Sequence, residues 1–124
     1  MLFRSKSNRG RGGTIANITW RRVLLNDTRQ CILVDIGTAG LNRTNASATP
    51  TVRDILFEDV HCAKGTTASY TLSGLPEAPV EAMSFVNVTM AADTVKGQAA
   101  CEAVQCSCDQ LTSPCPSCCK RHIT

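Results

Sequence analysis

The chain has 124 residues, 43% of them hydrophobic and 19% charged, with a formal net charge of +3. That length excludes more than one domain and allows a core that is sufficient but small. No stretch is long and apolar enough for a transmembrane helix, so a membrane is not an expected partner.

The first segment is basic. Arg4, Lys6, Arg9, Arg11, Arg21 and Arg22 supply six of the thirteen basic residues within positions 1–22, with no acid among them. On a strand, residues i and i+2 share a face about 6.6–6.8 Å apart, so Arg4 and Lys6 are expected to point outward into one groove while Phe3 and Ser5 point inward. Such a pair suits a carboxylate: guanidinium clamps it with two parallel hydrogen bonds and ammonium adds a mobile point charge. The alternative is a solvated basic segment. A basic patch attracts any polyanion, but nucleic acid is not the expected one. Only Phe3 and Trp20 are aromatic there, and neither a groove-entering helix nor a zinc motif is present. The glycines from Gly10 to Gly13 fail the dinucleotide pattern G-x-G-x-x-G because Ile15 occupies its last position, and no cofactor is expected.

An eleven-residue pattern then occurs three times, as Ile15 to Leu25 (IANITWRRVLL), Val52 to Cys62 (VRDILFEDVHC) and Val80 to Met90 (VEAMSFVNVTM). Aligned without gaps, the copies form columns of like side chains: Ile18, Ile55 and Met83; Trp20, Phe57 and Phe85; Val23, Val60 and Val88; Leu25, Cys62 and Met90. Within each copy the apolar residues step by two, which means strand. They pause over Arg21-Arg22, Glu58-Asp59 or Val86-Asn87 and then step by two again, so each copy reads as two short strands about one polar corner. Neither half can bury its own face. Stacking the copies in register buries the columns in one interior, the logic of a parallel β-helix. The copies begin at 15, 52 and 80, so the intervals of 37 and 28 residues leave room for further strands, expected at Cys31 to Ile36 and Ser69 to Leu72.

Asp54, Glu58 and Asp59 lie at the start and corner of the second copy and are expected to be turn or solvent-facing residues. His61 falls between the inward positions Val60 and Cys62 and is expected at the surface.

Six of the eight cysteines crowd between Cys101 and Cys119, and five N-x-Ser/Thr sequons start at Asn17, Asn26, Asn42, Asn45 and Asn87. Together these point to the secretory route, although Asn17 and Asn87 lie inside the repeated strands, where Asn also serves as a turn residue. Cys115-x-x-Cys118 and Cys106-x-Cys108, with His122 nearby, allow a zinc or redox site; adjacent Cys118 and Cys119 and the Pro-Cys-Pro context suit short disulfide loops sealing the end of the solenoid. The disulfide reading is preferred, no metal is assigned, and six cysteines permit fifteen pairings. Cys31 and Cys62 are expected to be buried thiols. The first residues contain neither an apolar stretch of signal-peptide length nor a cleavage site, which suggests that the chain is the tail of a longer secreted protein.

The run Arg4-Ser5-Lys6, then Gly10-Arg11-Gly12-Gly13 before the strand Ile15 to Trp20, resembles the last active-site coil of family 28 glycoside hydrolases, the polygalacturonase group. Thr49-Pro50 and the stretch Gly74-Leu75-Pro76-Glu77-Ala78-Pro79 resemble the family at matching intervals. The resemblance spans residues 3 to about 106. It implies a right-handed parallel β-helix, all-β, with three to four C-terminal coils over residues 1–100 and a cysteine-rich cap over 101–124. It also implies that Arg4 and Lys6 bind the acidic sugar of pectin or polygalacturonate, in a protein expected to be monomeric. Ser5 departs from the family's usual apolar residue, and Gln30 is the nearest match to a sugar-contacting Tyr of some fungal members.

Inverting hydrolysis needs one carboxylic acid and one carboxylate roughly 6.5–9.5 Å apart. The family's Asn-Thr-Asp, Asp-Asp and Gly-His-Gly motifs precede its Arg-x-Lys segment, and none of them occurs in this chain, so no catalytic residue is assigned. The expected function is the substrate-binding C-terminal part of a pectin-degrading hydrolase. The alternative is a non-catalytic β-helical module that binds acidic polysaccharide.

Overall fold

The computed structural model describes residues 3–6, 13–26, 28–35, 50–63, 65–90 and 100–121. They form nine strands: β1 (Phe3–Lys6), β2 (Thr14–Leu25), β3 (Thr28–Asp35), β4 (Thr51–Cys62), β5 (Gly65–Ser73), β6 (Val80–Met90), β7 (Ala100–Glu102), β8 (Val104–Cys108) and β9 (Cys119–Arg121). Up to β8, successive strands alternate between two sheets, ordered β1-β3-β5-β7 and β2-β4-β6-β8-β9. Every strand pairing is parallel. An all-β chain whose strands alternate between parallel sheets is consistent with a parallel β-helix.

The repeat columns are the register. Ile18 pairs with Ile55 and Ile55 with Met83; Trp20 pairs with Phe57 and Phe57 with Phe85; Val23, Val60 and Val88 follow, then Leu25, Cys62 and Met90. Phe57 and Phe85 stack with centroids 5.3 Å apart and planes 9° from parallel. Tyr70 of β5 meets the Phe85 ring edge-on at 5.2 Å, so the core is where aromatic and aliphatic columns of the two sheets meet. Ile32, Val34 and Leu72 complete it from the first sheet. The two expected intervening strands are present and longer than anticipated, as β3 and β5.

The expected polar corner is real, and it is one of two. Arg22, Asp59 and Asn87 have φ of 55°, 52° and 51°, and a second column, Asn17, Asp54 and Ala82, has φ of 59°, 57° and 53°. A single left-handed residue redirects the chain and resets which face points inward, at a cost that Asn and Asp bear better than most residues. Each copy therefore has three short segments, not two. Asn17 and Asn87 occupy corner positions, which accounts for these two sequon asparagines in structural terms.

Cys31 and Cys62 are not thiols: they form a disulfide between β3 and β4, tying the two sheets together inside the core. The geometry explains why pattern alone missed it, since the partners sit in columns of different sheets. The tail cysteines pair as Cys101–Cys118, Cys106–Cys119 and Cys108–Cys115. Adjacent Cys118 and Cys119 thus reach different sheets, through β7 and β8.

Gly74 closes the β5–β6 connection. Its N–H donates to the Glu102 carbonyl at 2.8 Å, Val80 N–H donates to the Ala103 carbonyl at 3.0 Å, and the turn is closed by Ala78 N–H to the Leu75 carbonyl at 3.0 Å. A Cβ on Gly74 would lie 2.3 Å from the Ala103 oxygen, so backbone proximity itself demands glycine there.

Candidate functional site

Arg4 and Lys6 lie on β1, at the end of the four-stranded sheet. Parallel register sets Phe3 against Ile32 and Ser5 against Val34, while Arg4 is level with Leu33 and Lys6 with Asp35. Ile32 and Val34 are buried, whereas Leu33 and Asp35 are partly exposed. The backbone thereby places Arg4 and Lys6 in the two columns that continue, strand by strand, through Leu33, Thr71 and Ala100 and through Asp35, Ser73 and Glu102. The side chains of Phe3–Lys6 lie outside the described residues. So do the side chain of Gln30, and Arg9, Arg11 and His122 entirely.

Several other charged residues have structural partners among the described residues. Arg21 Nε donates to Glu58 Oε2 at 2.9 Å across adjacent strands, and Arg53 pairs with Asp54 at 2.6 Å. Asp59 accepts a 2.9 Å hydrogen bond from Asn87 Nδ2, linking successive corners. His61 is exposed, with Nδ1 2.7 Å from Thr89 Oγ1. These positions agree with the turn and surface roles expected for Asp54, Glu58, Asp59 and His61.

A cluster that the sequence did not signal surrounds Asp109. Its Oδ1 accepts from Asn87 N–H at 3.0 Å, Thr112 N–H at 3.0 Å and the Thr112 hydroxyl at 2.8 Å. Partial desolvation pushes the Asp109 carboxyl up, but these hydrogen bonds outweigh it and hold the pKa below the usual carboxylate range. Thr112, fully buried, accepts Val88 N–H at 3.1 Å. Arg121 binds the Asp109 and Thr112 carbonyls at 3.1 and 3.0 Å. Burial raises the Tyr70 phenol well above its ordinary value, partly offset by Arg121, and its hydroxyl donates to the Pro114 carbonyl at 2.9 Å. This is an assembly of turn-holding bonds, not a catalytic constellation.

A cavity of about 570 Å³ opens on the other sheet, where Glu81, Ser84, Gln105, Ser107 and Lys120 line it over β6, β8 and β9. It does not include the columns of Arg4 and Lys6, and no aromatic residue lines it. Sulfur atoms of Cys106, Cys118 and Cys119 lie within 4.8 Å of one another, but each is committed to a disulfide.

The family model for glycosyl hydrolases family 28 matches residues 2–117. The chain belongs to that family. Comparison with curated proteins and with solved structures gives no significant match. Membership of glycosyl hydrolases family 28 gives the chain a glycoside-hydrolase-type function with a polysaccharide as the general substrate class. Its disulfides are consistent with the extracellular setting usual for the family.

Proposed function

We propose that this chain is the C-terminal part of a secreted, polygalacturonase-like hydrolase, contributing the carboxylate clamp for pectin or polygalacturonate while the acid and base of inverting hydrolysis come from residues outside it. The observation that carries this reading is the placement of Arg4 and Lys6. They occupy alternate positions of a sheet-end strand whose other two residues are level with the buried Ile32 and Val34, in a chain of the polysaccharide-hydrolysing family. Two cations sharing one face suit a uronic carboxylate better than a neutral sugar, because charge-assisted hydrogen bonds are the stronger kind. In this reading the coils are right-handed, the protein works as a monomer, and residues 101–124 seal the end of the solenoid.

The test is binding and turnover on polygalacturonate. The 124-residue chain should bind it, release no reducing ends, and lose binding on Arg4→Ala or Lys6→Ala with little change in thermal stability. Turnover by the chain alone would overturn the assignment of the acid and base, and equal losses for a neutral polymer would overturn the clamp. The second reading, a binding module without catalysis, rests on the lack of the three catalytic motifs in this sequence. A transcript carrying paired aspartates before Met1 would decide against it.

A further inference from the structure

We propose that Asn17 is an N-glycosylation site, carrying an oligosaccharide on Nδ2, and that Asn87 is not; this rests on the secreted setting of the reading above. Both residues head an Asn-x-Thr sequon, Asn17-Ile18-Thr19 and Asn87-Val88-Thr89, and both turn a left-handed corner, with φ of 59° and 51°. Their backbones are alike and their side chains are not. Asn87 is half-buried, its Nδ2 donates to Asp59 Oδ1 at 2.9 Å, and its N–H donates to Asp109 Oδ1 at 3.0 Å. The hydroxyl of its sequon is engaged as well, since Thr89 Oγ1 lies 2.7 Å from His61 Nδ1. A glycan on Asn87 would occupy the nitrogen that links two successive corners. Among the described residues Asn17 makes no such bond; Asn17 and Thr19 are both exposed, while Ile18 between them lies in a core column.

Asn17 belongs to β2, at one end of its sheet, yet its exposure does not depend on that place. The next corner in the same column, Asp54, is flanked by β2 on one side and β6 on the other, and its side chain is still 41% exposed. Ala82, the corner after it, is exposed too. This column faces outward with strands on both sides of it, so a sugar on Asn17 projects into solvent and not into the stack, as a bulky polar group must. The transfer itself is balanced by a lipid-linked oligosaccharide pyrophosphate, the donor of the secretory pathway. The bond from C1 of its first sugar to the phosphate oxygen breaks and a bond from C1 to Asn17 Nδ2 forms. The amide nitrogen gives up one of its two protons, and the lipid pyrophosphate leaves with the electron pair. On an extended chain the sequon alone admits both asparagines. Folding then separates them, because a glycan at Asn17 disturbs no bond of the fold and one at Asn87 competes with the Asp59 contact.

The experiment is peptide mapping of the protein recovered from the secretions of its source, since cleavage after Lys and Arg places the five sequon asparagines in five different peptides. Enzymatic removal of an N-glycan converts the Asn that bore it to Asp. The peptide of residues 12–21, which contains Asn17, should show that mass change, and the peptide of residues 65–96, which contains Asn87, should not. Thr19→Val, which keeps a β-branched residue on the strand and removes the sequon, should cost the secreted 124-residue chain the mass of one glycan. Thr19→Ser, which keeps the sequon, should retain it. Asn17→Gln should match Thr19→Val, and that agreement separates loss of the glycan from damage to the corner. Glycan on Asn87, or a bare Asn17 in the secreted protein, would overturn this inference and leave the secreted reading standing. A protein held inside its cells with all five sequons bare would remove the secreted reading, and this inference with it.

Discussion

The two ends of the five-stranded sheet solve the same problem differently. At β2, the core columns hold Ile15, Ile18, Trp20 and Val23, all only partly buried, whereas their partners Val52, Ile55, Phe57 and Val60 in β4 are buried. At the other end the same columns turn from Met83 and Phe85 to Cys106 and Cys108, and then to Cys119 and Arg121. An apolar column stabilises only where it has neighbours on both sides. Where β8 and β9 shrink to five and three residues, sulfur bridges replace side-chain stacking. Packing together with the Cys31–Cys62 bridge holds the middle, and three disulfides close the short terminal strands.

The sharpest way to test that division is to damage each part separately. Phe57→Ala removes a ring that is 1% exposed and stacked on Phe85, and should cost about 3–5 kcal/mol through lost burial and the cavity left behind. Denaturant unfolding should register this loss whether or not the tail disulfides are intact. Next in size, replacing both Cys31 and Cys62 by Ala opens a link with a sequence separation of 31, whereas replacing Cys108 and Cys115 opens one of 7. Loop-closure entropy then predicts about 3–4 kcal/mol for the first and about 2 for the second. A larger loss at Cys108–Cys115 would mean that the tail contributes more than chain connectivity.

The smallest effect concerns Asp109. Its folded pKa is depressed, so its contribution is present above the unfolded value of about 3.9 and is lost as pH falls through the folded value. Asp109→Asn should cost less than about 1 kcal/mol at pH 7, because the group is partly exposed and screened. The variant should also show a flatter acid limb below about pH 4 in thermal unfolding.

Much of the fold was legible because columns require like residues at fixed offsets, and Ile18, Trp20, Val23 and Leu25 repeat theirs faithfully. The second corner was also encoded, in a subtler form. Ile15 to Ile18, Val52 to Ile55 and Val80 to Met83 are spaced by three, so one residue in each gap must leave the alternation, as Asn17, Asp54 and Ala82 do. Those residues share little chemistry, and the break in period was the only signal. The Cys31–Cys62 link could not be read, because it joins strands whose relative placement depends on intervening loops. For the same reason the sequence pointed to Arg4 and Lys6 through family resemblance but gave no sign that Asp35 would be level with Lys6.

The last strand has a consequence for solubility. A sheet that ends in unpaired peptide groups invites another chain to add on, the first step toward fibrous aggregates. β9 offers only three residues for such growth, and two of them, Lys120 and Arg121, are exposed cations. Among the described residues, a short edge strand carrying two exposed cations discourages the addition of a further strand.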